Sequence, residues 1–225
     1  AISRPKDTAK IWKSSNGVIG ATSMIKLQGK LPRHLFVACS GGVDSMAMLD
    51  FLRRNHQVTV AYFDHGTDHS RRAFDFLVNY TAEQGLPLMH SKILRDKDKD
   101  ESWEEYWRNQ RYQFLQKLRG RVVTAHHLDD CVETWVMSSM HGTGKWIPYQ
   151  RDNIVRPFRL NRKRELELWA NLKGVPWIED DSNRDTNYTR NYVRHEMMPH
   201  VLKVNPGIHK TIAKKIKEDV DNINI

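Results

Sequence analysis

Cysteine is almost missing: the 225 residues hold two, Cys39 and Cys131, and no C-x-x-C pair. That spacing argues against a zinc knuckle and a dithiol redox site and suits a reducing cytoplasm. No apolar run approaches the roughly twenty residues of a membrane-crossing helix, and the first thirty residues contain no continuous apolar stretch of the secretory kind. A soluble, cytoplasmic protein with no membrane partner is expected. Internal repeats and low-complexity tracts are absent as well. The Walker pattern G-x-x-x-x-G-K-[ST] fails around Gly144-Lys145, where Ser139 and Trp146 occupy the places that need Gly and Ser or Thr.

Acid is scarce in one part of the chain. Residues 1–35 carry seven Lys/Arg against one acid, residues 36–150 carry 14 against 15, and residues 151–225 carry 15 against 11, for a net charge of +9. The basicity therefore lies outside the middle of the chain. Such asymmetry fits a polyanion held by the two ends, with a solvated basic surface as the plain alternative. The expected division is a basic N-terminal arm over 1–30, an α/β domain over 31–150 and a helical C-terminal part over 151–225.

What is present is most informative at Ser40-Gly41-Gly42-Val43-Asp44-Ser45, directly after the apolar run Leu35–Cys39 and before an apolar helix-like segment. Two adjacent glycines let a backbone turn sharply and approach an anion closely. Ser40, Ser45 and the free N–H groups of a following helix would donate to phosphate oxygens. A carboxylate at Asp44 would repel phosphate unless a divalent cation such as Mg²⁺ sits between them. The ordinary alternative is a strand-to-helix turn with Asp or Ser as N-cap.

Short β-rich runs at 35–39, 57–63, 88–94 and 121–125 alternate with helical patterns near 45–54, 68–84, 101–118 and 128–140. This predicts a doubly wound, mostly parallel α/β sheet, with helices near 161–173, 188–202 and 207–221 as a C-terminal appendage. Ligands of such sheets bind beyond the carboxyl ends of the strands, so loops 40–45, 64–67 and 126–130 should converge. The loop 126–130 opens His126-His127-Leu128-Asp129-Asp130-Cys131-Val132-Glu133-Thr134. Asp130 and Glu133, three apart, share a helix face. Carboxylates beside imidazoles suit a metal, a proton relay or a cationic ligand, zinc least, because the i, i+4 histidine spacing is missing. Asp129 or Asp130 could instead cap the helix, with Glu133 completing a capping box.

The glycine loop resembles that of the N-type ATP pyrophosphatases. Together with His126–Thr134, Gly142-Thr143-Gly144, Arg156-Pro157-Phe158, Glu179-Asp180-Asp181-Ser182-Asn183, Tyr188-Thr189-Arg190-Asn191-Tyr192-Val193-Arg194 and Pro199, in that order, it resembles the tRNA(Ile)-lysidine synthetases over roughly residues 35–206. Asp64-His65-Gly66 and Arg108–Tyr112 match more loosely. The resemblance implies an adenine nucleotide alpha hydrolase-like fold and an ATP- and Mg²⁺-dependent ligation of free L-lysine to the wobble cytidine of a CAU-anticodon tRNA(Ile). It implies that Ser40, Gly41, Gly42, Val43, Asp44, Ser45 and His65 hold the nucleotide, with Asp44 on the metal. Asp130 and Glu133 would receive the lysine ammonium group, and Arg111 would stabilise phosphate or the lysine carboxylate. Arg156, Arg190, Asn191 and Arg194 would contact tRNA. The alternative for Arg190 and Arg194 is salt bridging to Glu179, Asp180 and Asp181.

Two positions depart from the family pattern: His141 stands where Arg is usual, and Thr67 where an apolar residue is usual. Family members also continue into C-terminal domains, whereas this sequence ends at Ile225. Either the sequence is part of a longer chain or it is a minimal form; in the second case the basic residues Arg4, Lys6, Lys10, Lys13, Lys26, Lys30 and Arg33 are expected to supply part of the tRNA grip. Rival readings are a tRNA thiolase, which depends on a C-x-x-C pair, and an inactive nucleotide- or RNA-binding relative. A homodimer is compatible with the sequence.

Overall fold

The structure is a computed structural model that describes residues 2–3, 25–93, 97–98, 100–180 and 185–221. In chain order its elements are β1 (Ile2–Ser3), β2 (His34–Ala38), α1 (Val43–Arg53), β3 (Gln57–Asp64), α2 (Asp68–Glu83), β4 (Leu88–Lys92), α3 (Trp103–Lys117), β5 (Val122–Val123), α4 (Leu128–Met140), β6 (Gln150–Arg151), β7 (Ile154–Val155), α5 (Lys163–Lys173), β8 (Trp177–Ile178), α6 (Thr189–Tyr192), α7 (Met198–Val204) and α8 (Ile208–Asp221). A π-helical turn, Val193–Met197, joins α6 to α7.

The main sheet runs β4-β3-β2-β5-β7-β6, parallel except for the β6–β7 hairpin. Alternation along the strands sends successive side chains to opposite faces. Val37, Val60, Tyr62, Val123 and Val155 join the core under α1, α2 and α5. Their neighbours Ala61, Val122 and Ile154 pack with Tyr112 and Leu115 of α3 on the other face. The sheet is thus covered on both faces, the doubly wound arrangement that the alternating pattern predicts. A third cluster joins Leu128, Val132 and Val136 of α4 to Val193, Met198, Ile208, Ile212 and Ile216, seating the C-terminal helices on α4.

The chain does not divide at 150. That boundary falls inside β6, β7 lies within the main sheet, and α5 packs on α1 through Phe51 against Phe158 and Trp169, with ring centroids 5.9 and 5.1 Å apart. Burying large side chains such as Phe158 and Trp169 contributes about 1.5–3 kcal/mol each. Asp50 of α1 receives Trp169 Nε1–H at 3.0 Å and pairs with Arg53 and Arg54, so it is buried with its charge satisfied. Nor does an arm extend to residue 30. Lys26 N–H donates to Asn161 Oδ1 at 2.7 Å, Asn161 Nδ2 donates back to Lys26 O at 2.7 Å, and Gln28 N–H donates to Pro157 O at 2.9 Å. Arg4, Lys6, Lys10 and Lys13 lie outside the described residues. Among the described residues no helix is long and apolar enough to cross a membrane.

Candidate functional site

β2 lies between β3 and β5, where the strand order reverses, and its carboxyl end runs straight into the Ser40–Ser45 loop. Open α/β sheets leave a crevice at that switch point. Gly41 adopts φ +83°, a left-handed conformation that suits glycine. Its carbonyl accepts from Ile178 N–H at 3.0 Å, and a Cβ there would lie 3.3 Å from the Ile178 side chain, so β8 closes against the loop. Ser45 is turned inward: its Oγ donates to Gly42 O at 2.9 Å and accepts from Ser40 N–H at 3.1 Å. This corrects the expectation of a phosphate donor at Ser45, whose hydroxyl shapes the loop instead. Ser40 is exposed, and no side chain caps α1 at Gly42. The first N–H groups of a helix lack intrahelical partners, so those of Val43 and Asp44 at the uncapped start of α1 are available to an anion.

The starts of α2 and α4, by contrast, are closed by side chains. Thr67 Oγ1 accepts from Ser70 N–H at 3.1 Å, and Ser70 Oγ accepts from Thr67 N–H at 2.9 Å. A polar Thr67 therefore serves as the α2 cap. On α4 the cap is His127, with Asp130 rather than Glu133 completing the box: Asp130 Oδ2 accepts from His127 N–H at 3.0 Å. The sequence offered Asp129 or Asp130 for that place.

His127 links the two halves of the crevice. Its Nε2 lies 3.7 Å from Asp44 Oδ2, and its Nδ1 lies 3.4 Å from Asp130 Oδ2 and 3.8 Å from Asp129 Oδ2. Burial opposes charge on the ring, but Asp130, then Asp44 and Asp129, raise its pKa to about 9. Asp130 N–H also points at Nδ1, at 3.3 Å, a contact that suits a neutral ring. A ring protonated at Nδ1 gives up that cap bond and faces the Asp130 and Asp129 carboxylates instead. Asp44 Oδ1, by contrast, is buried without a hydrogen-bond partner. A hard divalent cation bound chiefly through phosphate oxygens suits one such carboxylate oxygen. Among the described residues no cluster of three or more His, Cys, Asp and Glu is arranged to hold an ion by itself.

Asp130 and Glu133 share a face of α4, as their spacing predicts, but that face is occupied. Arg194 Nε donates to Glu133 Oε1 at 2.8 Å, and its Nη2 donates to Glu133 Oε2 at 2.9 Å and Asp130 Oδ1 at 3.2 Å. Arg190 lies 3.8 Å from Asp130 Oδ1 and donates to Thr134 Oγ1 at 2.8 Å. Both arginines therefore answer α4, and Asp181, Ser182 and Asn183 lie outside the described residues. Arg194 sits in the π-helical turn. Pro199 has no N–H to continue an α-helical ladder through that turn, which accounts for the widened register. Asn191 Nδ2 donates to Asp185 O at 2.9 Å and shapes the turn entering α6.

Arg156 is a correction. It is 1% exposed, donating to Pro148 O at 3.1 Å and to Tyr112 Oη at 3.0 Å, and cannot reach an external nucleic-acid backbone. It belongs to a group of cations that sequence reasoning did not assemble. Arg108 and Arg111 lie over the Tyr112 ring, 4.7 and 5.9 Å from its centroid. His126 accepts or donates at Nδ1 to Thr124 Oγ1 at 2.8 Å. Burial, followed by Arg156, Arg190, Arg111 and Arg108, holds the His126 pKa well below its ordinary value. His65, at the end of β3, is likewise held neutral, its pKa lowered to about 4 by burial and then by Arg111. These cations form an electropositive cluster around His126 and His65, near the carboxyl ends of β5 and β3.

These features agree with the comparisons. Residues 19–201 match the family model described as PP-loop domain. The chain is 32% identical over 201 residues to the tRNA(Ile)-lysidine synthase of Thermotoga sp. (strain RQ2), covering 81% of this chain and 49% of that protein. It is 31% identical to that of Thermotoga maritima over 81% of this chain and 49% of the relative. For Vibrio vulnificus (strain YJ016) the identity is 30%, over 86% and 48%. The chain spans about half the length of these curated relatives. An uncapped glycine loop at the switch point and a family match running through the loop and the α4 carboxylates lead to one conclusion: the chain belongs to the PP-loop family.

Proposed function

We propose that this chain carries the catalytic site of a tRNA(Ile)-lysidine synthetase, joining lysine to the wobble cytidine of a CAU-anticodon tRNA(Ile) at the expense of ATP. The observation that carries the reading is a carboxylate pair already shaped around a side-chain cation, Arg194 on Asp130 and Glu133, beside a loop whose backbone donors await an anion. A site that holds a guanidinium between two carboxylates suits an alkylammonium group.

In the proposed sequence the cytidine O2 attacks the α-phosphorus, the bond to the bridging oxygen breaks, and pyrophosphate leaves toward the loop. The lysine Nζ then attacks C2, the C2–O bond breaks, and AMP carries the oxygen away while the amine proton passes to a carboxylate. Ser40 and the N–H groups at the start of α1 hold pyrophosphate. Asp44 would hold Mg²⁺, which when bound neutralises charge on the departing oxygens. Arg111 and His65 would meet the phosphates, and Arg190 and Arg194 would turn to tRNA phosphates once lysine takes Arg194's position. Glu133→Gln or Asp130→Asn should raise the apparent KM for lysine while ATP binding is kept.

A thiolase reading would need an available thiolate. Both cysteines are buried, and burial raises their pKa values, that of Cys131 to about 12. The test incubates the protein with ATP, Mg²⁺, lysine and a CAU-anticodon tRNA, followed by mass analysis of the nucleosides. Cytidine bearing lysine with loss of water is expected. Unmodified cytidine, with no lysine-dependent release of AMP, would overturn the reading and leave the inactive-relative alternative.

A further inference from the structure

We propose that Trp103, Trp107 and Tyr188, bordered by Arg108, Arg111 and Arg190, form a stacking platform for an unpaired RNA base next to the one that enters the crevice. The proposal rests on RNA being the substrate, as argued above. Trp103 and Trp107 stand one turn apart on α3, with ring centroids 5.5 Å apart and planes inclined by 37°. Trp107 in turn meets the His65 ring at 6.0 Å and Tyr188 at 6.3 Å. The row therefore runs outward from the strand ends where nucleotide is expected, and it joins α3 to the segment that carries Arg190 and Arg194. Its outer member, Trp103, is 54% exposed, and Trp107 and Tyr188 are half-buried. Large apolar rings left in a contiguous open row mark a contact surface more often than a packing requirement.

The flanking charge selects the occupant. Arg111 lies one turn beyond Trp107 on α3, and Arg190 follows Tyr188 by two residues. Among the described residues no carboxylate pairs with Arg108 or Arg111, whose guanidiniums rest on the Tyr112 ring. Partly exposed rings, with Lys97 over Trp103 and with Arg108 and Arg111 free of carboxylate partners beside them, match a ligand that offers flat π faces and anions in alternation. Single-stranded RNA has that repeat, and base-on-aromatic stacking with arginine alongside is how unpaired bases are held. A peptide would have to supply several carboxylates to do the same.

The experiment measures binding of the full chain to a labelled single-stranded RNA of seven nucleotides centred on C-A-U, and to versions with one base at a time removed to leave the sugar. Trp107→Ala should weaken binding of the intact oligomer about ten-fold or more, and Trp107→Phe should restore most of it. Removing one base beside the cytidine should cost the wild-type protein a similar factor and cost Trp107→Ala nothing further. Trp103→Ala, at an exposed position, should reproduce a smaller loss with ATP binding unchanged, so the test survives if Trp107→Ala folds poorly. Base removals that cost wild type and variants equally would overturn the platform while leaving lysidine formation untouched. A wild-type protein that binds neither this oligomer nor tRNA would instead bring down the functional reading.

Discussion

The glycine loop and the α4 carboxylates lie on opposite sides of one crevice, yet their polar groups are in opposite conditions. At the loop, α1 starts without a side-chain cap and Asp44 Oδ1 is buried without a partner. Across the crevice, Asp130 and Glu133 are bound by Arg194, and Asp129 is bound by Arg162, Lys163 and His209. Buried polar groups without partners cost free energy, so they persist in a fold mainly where a ligand completes them. The loop is thus incomplete by itself, whereas the α4 face is complete, and under the proposed function it has to be opened before lysine can enter.

The strongest way to break this contrast is Asp44→Ala. If Asp44 is kept for a ligand, the variant should unfold at nearly the wild-type temperature and lose about a hundred-fold or more in ATP-dependent turnover at saturating Mg²⁺. Turnover near wild type would show that the orphaned oxygen has no catalytic use. Asp129→Asn tests the opposite property. Arg162 Nε donates to Asp129 at 3.0 Å, Lys163 N–H at 2.8 Å, and His209 Nε2 lies 3.1 Å away, which ties α4 to α5 and α8. Burial pushes the Asp129 carboxyl up, but the His209, Arg162 and Lys163 contacts hold it well below the usual carboxylate range. A depressed carboxyl stabilises the fold above its unfolded pKa, about 4, and the contribution fades as pH falls through the folded value. Denaturant unfolding should therefore find the variant less stable by about 2–3 kcal/mol at pH 7, with the gap shrinking below about pH 4. A gap that does not change with pH would mean that packing, not charge, is lost.

The smallest effect belongs to Arg194→Ala. Arg194 keeps 26% of its side-chain surface exposed, so water can partly replace it, and a stability loss of about 1–2 kcal/mol is expected. If Arg194 occupies the position of the substrate ammonium, the apparent KM for lysine should fall in the variant, because an internal competitor has gone. A raised KM would instead make Arg194 part of the lysine site.

The sequence made the loop, the doubly wound sheet and the Asp130–Glu133 face legible because each depends on local spacing: a glycine pair after an apolar run, period-two strands, carboxylates three apart. The strands Ile154–Val155 and Trp177–Ile178 escaped it, since two residues are too few to display a period. Ser45 gave no sign that its hydroxyl closes the loop internally, because hydroxyl chemistry is the same toward a carbonyl and a phosphate. The resemblance puts Arg156 on tRNA, and residue type also places arginine outside. Its burial depends on Tyr112, which lies far from it in sequence. The pairing of Arg194 with Glu133, 61 residues apart, is likewise a tertiary fact; only the recurrence of charged residues in both segments hinted at it.

The hydrogen bond from Ile178 N–H to Gly41 O has a consequence for how the site comes into being. Gly41 belongs to the first long strand-loop-helix unit, and Ile178 follows the last strand of the main sheet. The loop therefore gains its closing contact only after almost every strand and sheet-covering helix has been added. Contacts so far apart in sequence form late, because their loop-closure entropy must first be offset by the rest of the fold. During synthesis the anion-binding geometry would be among the last features to mature, and a growing chain would be spared a nucleotide before it has a complete domain to hold one.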